Sequence, residues 1–208
     1  MSMTDARAAA APEPTPGGAT ARDRAKAERR AALLSAAARL FAERGFPRVS
    51  LDELGAAAGV SGPAVYKHFV SKQSVLAAIL VEASEGLLAG GRAVIGAAGA
   101  DARAALEGLV AFHVDFALSN ADVIRVQDHD LDSLADDDRH AVRALQRQYV
   151  ELWVDVLARL RPAEARVALR TRAHACFGLI NSTPHSSRAG ARVTRSILEA
   201  MALAALTA

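Results

Sequence analysis

Two adjacent serine-headed helix starts constrain the fold of this chain more than any other feature of its sequence. The first, Ser50–Glu53 (SLDE), is a capping box, in which the serine oxygen accepts an orphan backbone amide and the glutamate reaches back to the serine amide. Gly59 then ends this helix, and Ser61 can cap a second one. Gly62 and Pro63 would lie in its first turn, where a missing amide hydrogen costs little. Two short helices joined by a tight glycine turn are typical of a helix-turn-helix.

The rest of the chain also has the sequence pattern of helices, so the predicted fold class is all-α. From Arg24 onward apolar residues recur at three- and four-residue spacing, and no hairpin dipeptide lies between alternating runs. Further helices are predicted from Ser71 to Gly90 or beyond, over Asp101–Ser119, from Asp136–Asp138 to near Pro162, over 163–181 and over 187–207. The segment Ala121–Leu134 is acidic and less regular. Residues 1–21, rich in Ala, Pro, Gly and Thr, are predicted to be a disordered tail.

Positive charge is concentrated close to the helix-turn-helix pattern. The whole chain has a net charge of +2, whereas Arg22–Arg48 holds eight lysines and arginines against three acidic residues. Such asymmetry is expected where one end of a protein meets a polyanion. The single cysteine, Cys176, fits a reducing compartment, and the sequence has neither a recognisable signal peptide nor an uninterrupted apolar run that would span a bilayer. We therefore expect a cytoplasmic protein with no membrane partner.

The second helix of the pattern carries side chains suited to DNA. Small residues at its start, Gly62 and Ala64, allow the backbone to approach the bases closely. Val65 can contact a thymine methyl group, and Lys67 can reach a guanine edge or a phosphate. Other polar side chains nearby are of types that donate to phosphates, which fixes register without reading sequence. The predicted DNA contacts are Ser50, Ser61, Gly62, Ala64, Val65, Tyr66, Lys67, His68 and Lys72, whereas Phe69 is predicted to lie in the core.

Two alternatives to DNA binding remain open. In a hydrolase Ser61 would be the nucleophile, but Pro63 stands where a nucleophile elbow needs glycine, and His68 lies too far along the same short helix to share a proton. A serine of the stretch 182–187 (STPHSS) could instead use His185, although this spacing is more consistent with a loop hydrogen bond. The other alternative is a helical ligand carrier without affinity for DNA. We expect no catalytic residues.

An acidic segment raises the question of a metal site. Asp128, His129 and Asp130 are adjacent in sequence, so their side chains do not converge on one helix face as ligands at i and i+4 would. The whole segment Arg125–Asp138 is predicted to be solvated and mobile, and we expect neither a metal nor a cofactor.

The stretch SLDELGAAAGVSGPAVYKHFVSKQSVL resembles the DNA-binding signature of the tetracycline-repressor (TetR) family, within a match from Arg29 to Leu80. The matching elements are Phe41-x-x-x-Gly45-Phe46, Ser50, Leu54, Gly59-Val60-Ser61, Tyr66-x-x-Phe69 and Lys72, and the chain departs at Gly55, where the family usually carries alanine. The resemblance implies a three-helix helix-turn-helix DNA-binding domain over 22–70 and a helical ligand-binding and dimerisation domain over 71–208. It also implies a homodimer, joined by its last two helices, that binds a palindromic operator and is released by a small-molecule effector.

Candidate effector contacts are polar or aromatic residues on otherwise apolar inner faces, for each of which ordinary core packing is the alternative. They are Phe112, His113, Phe116, Trp153, Phe177 and Asn181. The stretches Arg125–Leu157 and Phe177–Ser186 resemble those of actinobacterial family members that respond to acyl-coenzyme A thioesters. This second resemblance implies that an arginine such as Arg125 or Arg147 meets the thioester's phosphates, since its planar fork suits them. Drug-like or other hydrophobic effectors remain an alternative.

Overall fold

All regular secondary structure in the described part of the chain is helical, which confirms the all-α prediction. The computed structural model describes residues 21–60, 65–182 and 190–208. The α-helices are α1 (Ala21–Arg44), α2 (Leu51–Ala57), α3 (Lys72–Ala98), α4 (Ala102–Ser119), α5 (Ala121–Asp130), α6 (Asp136–Leu160), α7 (Arg166–Asn181) and α8 (Ala191–Thr207). Two 3-10 turns span Phe46–Arg48 and Leu131–Ser133. The predicted tail lies outside the described residues except for Ala21, which begins α1 and is therefore not part of a tail.

The capping box of α2 forms as predicted. Ser50 Oγ accepts the Glu53 amide at 3.3 Å, and the Glu53 carboxylate accepts the Ser50 amide at 2.8 Å. The hydrogen bonds from Ser50, together with the Arg44 guanidinium, hold the pKa of Glu53 below its ordinary value. At the other end Gly59 has a positive φ of 69°, and Val60 donates to the Gly55 carbonyl at 2.9 Å. This is a Schellman ending, which satisfies the last carbonyls of α2 and sets up the turn that leads to Ser61.

The N-terminal core extends beyond the predicted DNA-binding domain. It joins α1 and α2 to the first half of α3 through Val75, Leu76, Ala77, Ile79 and Leu80. Val126, Leu134 and Val142, which come from the predicted effector domain, are buried in the same core. The boundary at residue 70 stays a prediction, but packing across it is continuous.

The C-terminal core is built by the second half of α3 with α4, α6, α7 and α8. Leu88, Leu106, Leu109, Trp153 and Leu169 are among its buried residues. Gly91 lets α3 pass close to α6, because a Cβ at this position would lie 2.8 Å from the Tyr149 ring. Tyr149 also lies against α4, where its hydroxyl is 3.3 Å from His113 Nδ1.

Helix α5 differs from the prediction for residues 121–134. This segment was predicted to be less regular, and residues 125–138 to be solvated and mobile, yet Ala121–Asp130 is an α-helix that packs on α1. Its acidic residues obscured apolar residues on opposite sides of the helix, since Ile124 is buried in the C-terminal core and Val126 in the N-terminal core. Asp130 is also buried, so the prediction of a solvated segment is wrong at this end.

A polar cluster fixes the turn between α1 and α2. Asp130 accepts the backbone amide of Phe46 at 3.4 Å. Burial raises the pKa of the Asp130 carboxyl, and this hydrogen bond partly opposes the rise. Lys72 Nζ donates to the carbonyls of Phe46 at 2.7 Å and Pro47 at 3.2 Å, and it lies 4.4 Å from the Phe46 ring centroid. The turn is thus held from both sides, by α5 and by the first residue of α3.

The sequence expectation of no membrane-length apolar segment needs a correction at α3. By length and composition Lys72–Ala98 is apolar enough to cross a membrane, and 44% of its most apolar window is buried inside the protein. Its central alanines, leucines and isoleucines pack against α4 and α6, as in the core helix of a bundle.

Replacing Lys72 by methionine should destabilise the fold. Lys72→Met keeps the length of the side chain but removes a charged donor from two carbonyls, so we expect the free energy of unfolding to fall by about 1–2 kcal/mol. Urea denaturation followed by circular dichroism measures the change. Lys67→Met, at an exposed position where the side chain forms no hydrogen bond within the described residues, is the matched control and should shift stability by less than about 0.5 kcal/mol. Equal stabilities for the two variants would contradict this role of Lys72.

Candidate DNA-binding surface and ligand cavity

The predicted DNA-contacting residues that the structure describes lie on one end of the molecule. Helical hydrogen bonds link Val65 to His68 and Phe69, both at 2.9 Å, so the backbone is helical where the second helix was predicted. Tyr66 is 56% exposed, Lys67 is exposed and His68 is half-buried. Ser50, Tyr66 and Lys72 line one surface depression, whereas Lys67 and His68 line a cleft on the side of α1. Ser61, Gly62 and Ala64 lie outside the described residues.

Two of the predicted contacts have another environment. Val65 has no exposed surface and packs in the N-terminal core, so its predicted contact with a thymine methyl group is wrong for this conformation. The Lys72 ammonium group is engaged by the Phe46 and Pro47 carbonyls, which gives it a role within the protein. Phe69 is buried as predicted, and the Arg30 guanidinium lies 5.3 Å from its ring centroid.

An inner cavity of about 210 Å³ lies between α3, α4, α5, α6 and α7. Its lining consists of Ser84, Leu87, His113, Phe116, Ile124, Gln127, Gln146, Tyr149, Val150, His174, Phe177 and Asn181. Four predicted effector contacts are therefore brought together here: His113, Phe116, Phe177 and Asn181. Trp153 is fully buried behind the cavity, 4.9 Å from Phe177 between ring centroids. Arg125 does not line it and pairs instead with Asp122 at 3.6 Å.

A buried chain of hydrogen bonds runs along one wall of the inner cavity. Tyr149 Oη lies 3.3 Å from His113 Nδ1, and His113 Nε2 lies 3.2 Å from Asn181 Oδ1. Burial lowers the pKa of His113 to about 4, although the contact with Asn181 opposes this shift. The imidazole is therefore neutral at pH 7, so Tyr149 donates to Nδ1 and Nε2–H donates to Asn181. His113 is thus both a satisfied core histidine and part of the cavity wall.

Two buried donors near the cavity have no acceptor among the described residues. They are the Gln146 side-chain amide and the Trp153 indole NH. The indole is close enough to Tyr149 to lower the pKa of its hydroxyl slightly, against the larger rise caused by burial, but it does not reach hydrogen-bond geometry. Buried donors are normally paired, so each is a point where a bound molecule can gain a hydrogen bond without breaking one.

An arginine-lined cleft of about 550 Å³ adjoins the inner cavity between α6 and α7. Arg143, Arg147 and Arg170 line it, and it shares Gln146, Val150 and His174 with the cavity. Arg170 pairs with Glu151 at 2.6 Å and lowers the pKa of that carboxyl, and Arg143 lies 3.5 Å from Asp132. Arg147 is exposed and forms no ion pair within the described ranges. The cleft therefore offers positive charge at the edge of an apolar cavity.

A separate outer groove of about 610 Å³ lies between α1 and the C-terminal helices. Phe112 lines this groove and not the inner cavity, whereas Phe116 lines both. Among the described residues the groove has no buried unpaired donor, whereas the inner cavity has one in Gln146. The inner cavity is therefore the better candidate for a ligand site. The Phe116 ring forms part of the wall that the two spaces share.

The acidic segment 128–130 does not gather metal-ligating side chains. Asp130 is turned toward the Phe46 amide, and in the described part of the chain no three histidine, cysteine or carboxylate side chains are placed so that they could hold a metal ion together.

Several cavity residues were missed by the sequence prediction. Tyr149, Ser84, Gln127, Gln146 and His174 line the cavity but were not among the predicted effector contacts. Tyr149 lies four residues before Trp153, a predicted effector contact, and therefore on the same face of α6. This spacing could have identified Tyr149 from the sequence. The other four come from four helices that are distant in sequence, so no local pattern connects them.

Two protein-family models match the chain. The model for bacterial regulatory proteins of the tetR family matches residues 33–79, and the model for the tetracyclin repressor-like C-terminal domain matches residues 99–188. Among characterised proteins, the chain is 32% identical over 133 residues to the HTH-type transcriptional repressor KstR2 of Rhodococcus jostii (strain RHA1). That alignment covers 64% of this chain and 65% of the repressor, just under two thirds of its length.

Solved structures share the fold. A TetR-family transcriptional regulator from Bordetella parapertussis 12822 superposes with a TM-score of 0.74 at 27% identity, covering 85% of this chain and 91% of that one. AibR, solved in complex with isovaleryl coenzyme A and operator DNA, superposes with a TM-score of 0.67 at 19% identity and covers 83% and 97% of the two chains. At that identity the second likeness establishes the fold alone.

The neutral His113 should make the protein less stable in acid. Its pKa is about 4 in the folded protein and about 6.5 when unfolded, so only the unfolded chain binds the proton between these values. Neutral His113 contributes its full stabilisation of the fold above its unfolded-state pKa. As pH falls from there toward the folded-state pKa, the free energy of unfolding decreases by up to about 3 kcal/mol. Urea denaturation at pH values across this range should show that His113→Gln removes this part of the pH dependence. The exposed His140→Gln is the control and should retain it; the same pH profile in both variants would contradict the assignment.

Proposed function

Because the chain belongs to the tetR family of bacterial regulatory proteins, we propose that it is a homodimeric repressor that binds a palindromic DNA operator and is released by a small-molecule effector. The observation that carries this proposal is the capped α2 and its Schellman turn, followed by a helical segment that exposes Tyr66 and Lys67. This is the arrangement in which the second helix enters the major groove. The site of action of such a repressor is the cytoplasm.

The proposed DNA contacts are those whose side chains are accessible. Lys67 is placed to reach a base edge or a phosphate, and Tyr66 and Ser50 are placed to donate to phosphates. Ser61, Gly62 and Ala64 are retained from the sequence pattern. The half-exposed His68 side chain is placed to donate to a phosphate. Lys72 acts mainly by holding the turn that precedes Ser50.

A second copy of the chain is the proposed partner of α7 and α8. One face of α8 is buried through Leu198, Ala202 and Leu206, while Val193, Ile197 and Met201 on another face are each at least half exposed. These three lie four residues apart and so form one apolar stripe along the helix. Val167 of α7 is 69% exposed. Exposed apolar stripes of this kind are typical of oligomer interfaces, and a two-fold dimer matches the symmetry of a palindrome.

The proposed effector has an apolar part and an anionic part. The inner cavity would take a short apolar group, since a dry cavity of about 150 Å³ can hold benzene. The adjoining arginine cleft would take the anionic part, with Arg147 free to form a bidentate contact. An acyl-coenzyme A has both parts, and AibR was solved with isovaleryl coenzyme A. Arg147 replaces Arg125 in this proposal, because Arg125 lies away from the cavity; a purely hydrophobic effector is the alternative.

We propose no enzymatic activity for the chain. His68 is half-buried on the helix it shares with Tyr66, and the proposed nucleophile Ser61 lies outside the described residues. Burial raises the pKa of the Cys176 thiol to about 12, so it is not a nucleophile at neutral pH. Hydrolysis of ester substrates by the purified protein, abolished by Ser61→Ala, would establish the hydrolase alternative.

The DNA-binding proposal predicts salt-sensitive binding to a palindrome from the protein's own promoter region. Fluorescence anisotropy over a salt series should show affinity falling by about 0.9 log units per phosphate contact per log unit of salt. Lys67→Ala and Tyr66→Phe should both weaken binding, and Lys67→Ala should also change base preference if it reads a base edge. Asp52→Asn, at an exposed position outside the proposed contacts, serves as a control that should not weaken it.

The substitution Ile197→Glu tests whether α8 forms the dimer interface and whether DNA binding depends on it. A carboxylate in the apolar stripe of α8 should give monomers in sedimentation velocity and lose binding to the palindrome. A protein that binds no fragment of its own locus at low salt would refute the repressor and leave the ligand carrier as the alternative.

The effector proposal predicts that the anionic head group contributes through Arg147. Isovaleryl coenzyme A should bind the protein and release the operator, and Arg147→Gln should weaken its binding about tenfold, the equivalent of one charged hydrogen bond. The N-acetylcysteamine thioester of the same acid lacks phosphates and should bind both proteins equally. Arg125→Gln is the matched control and should bind coenzyme A thioester as the wild type does. Equal weakening by the two arginine substitutions, measured by calorimetry, would contradict the assignment.

A further inference from the structure

One aromatic side chain separates the inner cavity from the outer groove. Among the described residues, Phe116 is the only one that lines both spaces. The cavity on one side of it has a volume of about 210 Å³, and the groove on the other side has about 610 Å³. The groove is also partly apolar, since Leu34, Ile79 and Val123 are among its lining residues. Phe116 is therefore a partition between a small space and a much larger one.

Contacts of its backbone and of its ring hold Phe116 in this position. Its carbonyl accepts both the backbone amide of Asn120, at 2.8 Å, and the side-chain amide of the same residue, at 3.0 Å, where α4 ends. Its ring stacks on the His113 imidazole, with centroids 6.2 Å apart and planes at 26°. That imidazole is in turn fixed by Tyr149 and Asn181. A swing of the Phe116 ring into the groove would break the stacking contact and expose apolar surface to water, so the closed position is favoured.

The anionic end of the proposed effector would enter at a different wall of the cavity. The arginine cleft meets the cavity at Gln146, Val150 and His174 of α6 and α7, and none of these residues lines the outer groove. An apolar chain whose head group occupies the cleft extends from this wall toward α4, where Phe116 closes the cavity. By proportion to benzene, whose six carbons fit a cavity of about 150 Å³, the inner cavity has room for about eight carbons.

We infer that Phe116 limits the apolar part of the effector to about eight carbons and so determines which effectors bind. The inference rests on the proposed effector binding and adds the residue that sets the chain length. Without the ring, the cavity would open into the outer groove, and a longer chain would continue there against the apolar residues of α1 and α3. The effector class is therefore a compound with a short or medium-length acyl chain.

The test compares two phenylalanines of α4 by calorimetry with straight-chain acyl coenzyme A thioesters of four to twelve carbons. Phe116→Ala removes the partition, whereas Phe112→Ala removes a ring that lines the groove and not the cavity. Wild-type affinity should rise about fourfold per methylene group up to about eight carbons and then fall, because further groups overfill a packed space. In Phe116→Ala the rise should continue, so the twelve-carbon thioester should bind at least about tenfold more tightly than it binds the wild type. Phe112→Ala should keep the wild-type optimum.

Phe116→Leu is a second variant that keeps an apolar side chain at the end of α4, and its optimum should lie between those of the wild type and Phe116→Ala. A wild type that binds the twelve-carbon thioester most tightly, or Phe116 variants with the wild-type optimum, would overturn the inference while leaving effector binding intact.

The matching free fatty acids separate the partition from the proposed head-group site. Binding of the acids alone, with the same limit of about eight carbons, would support the partition and refute a coenzyme A effector. Binding of neither series to the wild type would refute the proposed effector and the role of Phe116 with it.

Discussion

A single helix belongs to both hydrophobic cores, and the rest of the structure depends on this shared backbone. The first half of α3 buries Leu76 and Leu80 among α1 and α2, and its second half buries Leu88 against the C-terminal helices. Protein interiors are close-packed, so a shift of α3 in one core displaces side chains in the other. The continuous packing through Val126 and Val142 adds two further connections. The DNA-facing end and the inner cavity are therefore parts of one mechanical unit.

Helix α5 directly links the inner cavity to the DNA-facing end. Gln127 lines the inner cavity, and three residues later Asp130 accepts the amide of Phe46 in the turn before α2. Asp130 is buried, so breaking this contact would leave a buried polar group without its partner, at a cost of about 1–3 kcal/mol. The end of α5 therefore stays attached to the turn when the rest of the helix moves. A ligand that prefers another position of α5 thereby acquires a differential affinity for two arrangements of the DNA-facing end, which is what allosteric coupling requires.

Features that depend on a few neighbouring residues could be predicted from the sequence, whereas features that depend on tertiary packing could not. The Ser50 and Ser71 caps, the end of α2 at Gly59 and the start of α6 at Asp136 each depend on a few neighbouring residues, and all were predicted. Val65 and Lys72 were assigned to DNA because their residue types suit it. Burial of Val65 and capture of Lys72 by carbonyls 25 and 26 residues away are set by tertiary contacts. The same applies to α5, whose acidic composition outweighed the apolar residues Ile124 and Val126, which are buried in two different cores.

The polar groups of the inner cavity divide into a satisfied set and an unsatisfied set, and this division constrains what the cavity can select. Tyr149, His113 and Asn181 complete one another's hydrogen bonds, so a ligand that displaced them would have to replace bonds already made. Gln146 and Trp153 have donors to offer without any such loss. Gln146 also lies where the cavity meets the arginine cleft, so a polar linkage between an apolar group and an anionic one would sit beside it. A hundredfold change in DNA affinity requires about 2.7 kcal/mol of differential binding. One new hydrogen bond together with one charge-assisted contact is of that order, provided that both form in only one position of α5.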